Sequence, residues 1–469
     1  QSSGTETLLV ANQDKLFKHN GTATLSQVSH TVLTTGAIWT GTWQTGKLSA
    51  VTWDGVTYMT NGIAYGAGTR GVDVAATVDG IQAYGGTTVA AVTPTIVTGV
   101  TIQSAKLLAV QKERLLCFRT QEAGTLYPQR VRWCSPGNAS DWTRDEFIDA
   151  PTSEWIQGVG RIGDNLVVWF DKSVWWLRYT GDSVLPFQFE RISDREGCAA
   201  PFSVVNLGNR CIALGQKALI ECNGSDVYRL DQRVPDLALD MEIGNIADCF
   251  GILVEQERQI WLLHTVLGET YPDRWLCHSI DDRAWFYHYA QKNFNVAGQW
   301  AQQADVTWET AAGTWSGYVE PWISGHLQAG YPMVLAGGWS GVVYQVNYGT
   351  DSANDDPMPS DVADFEALSS RWNPFGPQGM KARLGHVDFL VTSNSVVSLT
   401  VSFYTDFDTA AHTTQTLSFS GDGERSWIRV YCGAVGNSHR IKLTLTNTET
   451  ALEIHAIVPY FKPAGRITA

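Results

Sequence analysis

The clearest hydrophobic pattern runs from 161 to 181, RIGDNLVVWFDKSVWWLRYTG. Leu166 to Phe170 and Val174 to Leu177 are apolar on consecutive positions, and Asp171-Lys172-Ser173 between them is turn chemistry, so the stretch predicts a tight β-hairpin. An antiparallel sheet with one wet face alternates apolar and polar residues. These strands do not, so the hairpin must be covered on both faces. Radial stacking of small sheets supplies that cover, because the inner strands of a β-propeller blade lie between neighbouring blades. Trp169, Trp175 and Trp176 are then mostly packing residues.

Similar units recur at 8–17 (turning at Gln13-Asp14), 48–59 (at Asp54-Gly55), 107–118 (at its charged centre), 211–220, 252–263 and 333–346 (at Gly337-Gly338). With the first, that makes seven hairpin-like units before residue 350. Their irregular spacing lacks the sequence repeat of WD-type or kelch-type arrays. The propeller has six blades if the N-terminal hairpin completes a blade with strands near 342–346, and seven otherwise. Helical periodicity is hard to find.

The pattern changes after residue 350. Residues 351–379 are rich in Pro, Asp, Ser and Gly, which marks a linker or extended connection. Beyond it the alternation is clean: Val397, Leu399, Val401 and Phe403 face one way, and Ile441, Leu443 and Leu445 repeat the pattern. With Val387-Phe389-Val391, 427–431 and 452–457, such strands predict a small β-sandwich with one face of each sheet buried. The expected fold is therefore all-β: a propeller over 1–350, a connection over 351–379 and a β-sandwich over 380–469.

Composition agrees with this picture and narrows the chemistry. Charged residues are only 17%, while 44 Gly and 19 Trp fit a turn-rich, aromatic-packed β protein. A formal charge of −14 argues against tight binding to a nucleic-acid backbone and suits either solubility or a conduit along which DNA slides without sticking. No apolar run of about 18 residues is present, so no membrane span is expected, and QSSGTETLLV lacks the basic region and apolar core of a signal peptide. The eight cysteines form no Cys-x-x-Cys pair, which leaves zinc and redox motifs unsupported and points to reduced, core-packed thiols in a reducing compartment.

The densest polar cluster is Cys277-His278, Asp281-Asp282, Arg283 and His288. A metal or acid–base site is conceivable there, but Ser279 to Arg283 reads better as a turn between two aromatic strands. Asp351, Asp355, Asp356, Asp361 and Asp364 lack the spacing of a calcium loop and read as solvated linker. Asn20, Asn138 and Asn223 fit the glycosylation pattern, and each also reads as a turn. Signatures of sialidases, serine hydrolases, phosphate loops and dinucleotide folds are absent, so neither catalysis nor a cofactor is expected.

Residues 130–142, RVRWCSPGNASDW, are the most specific text in the chain. Arg130, Arg132, Trp133, Gly137 and Trp142 resemble the Arg-x-Arg-Trp-Ser...Gly-x-x-x-x-Trp segment of bacteriophage tail nozzle proteins, the packaged-DNA stabilisation or tail-hub proteins of short-tailed phages. Cys134 stands where that family more often has Ser. The order of neighbouring features, including Thr60-Asn61-Gly62 and Gly197, is similar over roughly 1–350. The resemblance implies a non-enzymatic virion protein, assembled in the host cytoplasm: a homohexameric ring at the distal end of the tail, continuing an adaptor or portal channel. Such a ring surrounds the DNA exit path without sequence-specific binding, helps retain packaged DNA and bears tail fibres or spikes. Carboxylates on the channel wall would keep DNA from adhering during ejection. The alternative is a carbohydrate-binding or depolymerase-type propeller with an accessory sandwich.

Overall fold

The structure is a computed structural model that describes residues 7–12, 14–19, 25–31, 38–39, 47–63, 79–96, 99–142, 146–216, 218–231, 241–289, 294–301, 332–338, 341–346, 365–369, 371–393, 396–421, 423–445 and 452–466. It divides into two compact units, Gln1–Val343 and Tyr344–Ala469.

The first unit is a β-propeller. Among the described residues seven sheets follow one another along the chain, one for each hairpin read from the sequence. Those spanning 102–149, 156–193, 205–229 and 250–289 are four-stranded antiparallel meanders. One edge strand of each of six successive sheets lies beside that of the next: Ser49–Trp53, Ile102–Gln111, Ile156–Ile162, Val205–Asn206, Phe250–Val254 and Phe294–Ala301. These edge strands form the inner wall. Among the described residues the N-terminal hairpin pairs with none of the last strands of the unit. Leu16–His19 already pairs Leu9–Ala11 on one edge and Leu25–Gln27 on the other, so it closes a sheet of its own. The imidazole of His19 meets Trp300 of the last sheet edge-on, with ring centroids 5.2 Å apart. The turn expected at Gly337-Gly338 falls later, since both glycines belong to the strand Pro332–Gly338 and Gly338 N–H donates to the carbonyl of Val342.

The 166–177 hairpin shows why the sheets stack. Asn165–Phe170 pairs with Val174–Tyr179, and its side chains divide by parity. Leu166, Val168, Phe170, Trp175 and Leu177 pack with Leu116, Phe118, Val131 and Trp133 of the preceding sheet. Val167, Trp169, Val174 and Trp176 pack with Cys198, Cys211, Ala213 and Ile220 towards the following one. Consecutive apolar residues are thus the signature of a sheet sandwiched on both faces. Closer to the axis the sheets crowd. A Cβ on Gly158 would come within 2.5 Å of Val204, and one on Gly251 within 2.7 Å of the Ser203 carbonyl, so glycine sets the approach of adjacent inner strands.

The second unit is a β-sandwich. One sheet has the order Phe365–Leu368, His439–Leu445, Val396–Thr405, Thr413–Ser420, and the other Ser426–Gly436, Met380–Ser393, Leu452–Arg466. Its core contains Val387, Phe389, Val391, Leu399, Val401, Phe403, Ile441 and Leu443, the inward set that alternation predicted. The expected connection is shorter than the composition suggested. Phe365–Leu368 pairs with His439–Leu445, and Trp372 N–H and C=O exchange hydrogen bonds with His439, so these residues belong to the sandwich. Backbone pairing and one aromatic were enough to recruit a polar, Pro- and Gly-rich text. Residues 351–364 lie outside the described residues.

Trp169 has 0% exposure. Trp169→Ala is expected to cost about 3–5 kcal/mol of unfolding free energy, read from the denaturant midpoint; a near-neutral result would mean the ring is not held between sheets.

Candidate functional site

The 130–142 segment spans the outer half of the 102–149 sheet. Arg130 and Arg132 are two residues apart on the strand Thr125–Trp133, so both side chains project from the same face. That face also carries Glu122, which receives Arg132 Nε at 2.6 Å and Nη2 at 2.8 Å, Arg130 Nη1 at 3.1 Å and Thr120 Oγ1 at 2.7 Å. Arg130 also donates through Nε and Nη2 to the two carboxylate oxygens of Asp149, at 2.8 and 2.9 Å. The guanidinium of Arg130 lies over the rings of Tyr127 at 3.7 Å and Phe147 at 4.0 Å, and that of Arg132 over Phe147 at 4.8 Å. Planar guanidinium groups suit this combination of bidentate pairing and stacking in a way that lysine does not. Burial pushes the Glu122 carboxyl up, but hydrogen bonds from Arg132 and Thr120 and the charges of both arginines outweigh it and hold the carboxyl below its usual range.

The aromatic residues of the segment reach in opposite directions. Trp133 is buried and meets Phe187 of the following sheet edge-on at 5.1 Å. Trp142 joins Tyr58 and Ile81 of the preceding sheet in one core and donates from Nε1 to the Ala139 carbonyl at 2.7 Å. Gly137 holds the turn between them with φ +71° and donates to the Glu113 carbonyl at 2.8 Å. Cys134 Sγ accepts from Leu115 N–H at 3.1 Å, and burial pushes its thiol up to about 11. The structure therefore brings all five sequence-selected residues into one joint linking three sheets.

A second cluster escaped the sequence reading. Lys47, just ahead of the inner strand of the second sheet, donates its ammonium to the Asp248 carbonyl, which precedes the inner strand of the sixth. Lys106, on the inner strand of the third sheet, lies over the ring of Phe202 at 5.5 Å. Burial lowers Lys47 to about 8, opposed by Asp248; burial and then Arg119 lower Lys106 to about 8. Burial likewise raises the Asp248 carboxyl, against the pull of both lysines. All three groups shift toward neutrality, so burial costs more here than mutual attraction returns. Lys47 and Asp248 have no local signature. The one hint is Lys106 itself, a lone cation in the apolar run AKLLAV.

The cluster at 277–288 is a pair of strands joined by a turn. Arg274–Ser279 and Trp285–Tyr289 pair, Asp281 accepts both carboxylate contacts from Arg258 Nε (2.9 and 2.8 Å), and Ser279 Oγ bonds Asp282 at 3.2 Å. Buried His278 packs on Trp285 with ring centroids 4.3 Å apart, and burial lowers its imidazole to about 4. Asn138 and Asn223 cap turns through their side-chain oxygens, while Asn20 and the Asp351–Asp364 set lie outside the described residues. A cavity of about 510 Å³ opens beside Asn206, Asn209, Arg210, Glu255 and Arg258. Its two arginines are engaged, Arg210 with Glu221 at 3.3 Å and Arg258 with Asp281 at 2.8 Å. Among the described residues no group of three His, Cys, Asp or Glu side chains could hold a metal ion. No described helix is long and apolar enough to cross a membrane.

No protein-family model matches the chain, and no curated protein matches it. Solved structures show distant likeness. The extracellular domain of a one-component system from B. thetaiotaomicron is 8% identical at TM-score 0.37, covering 85% of this chain and 48% of its own, so this chain spans about half that protein's length. A glycoside hydrolase family 43 arabinoxylan arabinofuranohydrolase from Bacillus subtilis, solved with cellotetraose, is 11% identical at TM-score 0.24, covering 89% and 95%. Apo AztD from Citrobacter koseri is 11% identical at TM-score 0.28, covering 61% and 73%.

Two outcomes follow from these clusters. Glu122→Gln leaves Arg132 short of its carboxylate and is expected to cost about 3–5 kcal/mol at neutral pH. Because the folded-state carboxyl is held low, wild type loses this advantage as pH falls through about 4.3 and below, and the two urea midpoints converge there. Lys47 falls from an ordinary 10.5 to about 8 in the fold, so its burial penalty is full below that value and lifts between the two. The stability of wild type relative to Lys47→Met should therefore rise between about pH 8 and about pH 10. A flat difference would place the ammonium in solvent.

Proposed function

We propose that this chain is a structural virion protein, the distal tail nozzle of a short-tailed bacteriophage. Six copies form a ring around the DNA exit channel, continue the adaptor or portal, help retain packaged DNA and bear fibres or spikes. DNA slides through without sequence-specific contacts, and the chain catalyses nothing. The observation that carries the reading is what the family-like segment does. Arg130, Arg132, Trp133, Gly137 and Trp142 are spent on internal pairs and packing that tie three sheets together. Such a segment supplies rigidity to a part that bears load and offers no reactive group. The depolymerase alternative needs two carboxylates across a sugar, whereas Glu255 is the one carboxylate among the described residues lining the cavity.

Native mass measurement and electron microscopy of the purified chain test the proposal. A sixfold ring of 51.5 kDa subunits is the expected particle; a chain that stays monomeric at high concentration, with or without the tail adaptor, would sink the reading.

A further inference from the structure

The outer face of one sandwich sheet carries a row of rings that the core does not use. On Ser426–Gly436, alternate residues Trp427, Arg429 and Tyr431 point outward, and Trp427 and Tyr431 are 59% and 63% exposed. Two such steps place the two aromatics about 13 Å apart along the strand. Across the sheet, His386 stands between Tyr431 and Tyr460 in register. Its ring stacks on Tyr460 at 4.3 Å and 24°, and meets Tyr431 at 5.8 Å.

Backbone irregularities at this level fix the row. Between Leu384 and His386 the register slips on both sides of the central strand, which leaves Gly385 as an extra residue against Tyr460 and Phe461. On the neighbouring strand, Gly433 takes φ +70° inside the same slip. Paired bulges of this kind re-aim side chains, and they recur next to binding sites.

The charges on this face are arranged unevenly. Asp388 is consumed by Arg429, which donates from Nε and Nη2 at 2.7 and 2.8 Å, and that pairing holds the Asp388 carboxyl below its usual range. One step beyond the ring row, exposed Arg383 lies directly opposite exposed Lys462. Two cations facing each other across strands destabilise a sheet, and here they do so in a chain whose formal charge is −14. An anionic ligand would turn that repulsion into attraction. A protein partner of ordinary interface size would want a broad apolar centre depleted of charge; this face instead interrupts three rings with an ion pair and ends in two cations.

We infer that this face binds an anionic polysaccharide, the sugar faces lying on Trp427, Tyr431 and Tyr460 and the acidic groups meeting Arg383 and Lys462. Saccharides offer C–H faces for aromatic rings and carboxylate or phosphate groups for the cations, which is the combination displayed. The inference concerns the second unit alone and does not depend on the nozzle reading.

Affinity electrophoresis of the full chain in gels containing sodium polygalacturonate or neutral dextran tests it. Retardation by polygalacturonate, weakening with added salt, and little by dextran is expected. Trp427→Ala and Tyr431→Ala should each weaken it about tenfold, and Arg383→Gln with Lys462→Gln should remove its salt dependence; none of these variants should melt below wild type, because the side chains are exposed, and the double Gln variant should melt at or above it. The inference is overturned by unretarded migration in polygalacturonate or by variants that migrate as wild type does. It is equally overturned if the face pairs two copies, seen as self-association that Trp427→Ala abolishes.

Discussion

Everything in the first unit depends on a sheet that cannot face water on either side. The 166–177 hairpin has apolar residues of both parities, so each of its faces needs another sheet, and each of those sheets inherits the same need. A closed ring is the arrangement that satisfies every member without leaving an apolar face behind. The hydrophobic contribution is therefore collective, since no single sheet of four short strands could bury both faces alone. The 130–142 joint fits within that constraint. Its tryptophans reach to the sheets on either side, while its arginines saturate Glu122 inside their own sheet.

How much of this was legible varies with the range over which the information acts. Apolar runs and turn dipeptides are local, so the hairpins and the change to clean alternation near 380 could be read directly, and Val397, Leu399 and Val401 point inward as the pattern required. Where a strand was recruited by pairing alone, composition misled. Phe365–Leu368 sits in polar, Pro-rich text yet completes a sheet with His439–Leu445. The same holds at Gly337 and Gly338, whose turn-like identity was overridden by pairing with Phe294–Ala301.

The candidate sites divide in the same way. The five residues of the 130–142 segment stood out because they are close together and chemically distinctive. Lys47 and Asp248 are 201 positions apart and meet only because the ring closes. Trp427 and Tyr431 were visible as members of a strand, but no alternation rule says that the outward set should be aromatic. The exposure of those rings, 59% and 63%, is a property of the folded sheet that the strand pattern could not supply.

The contact between Lys47 and Asp248 has a mechanical meaning. It joins the second sheet to the sixth, which are not neighbours around the ring, and Lys106 of the third sheet shares the electrostatic environment of both. The second and sixth sheets are thus braced against each other across the ring as well as around it. Such a brace resists shear between sheets that share no edge, so a push on one blade is carried across the ring and does not have to travel around it.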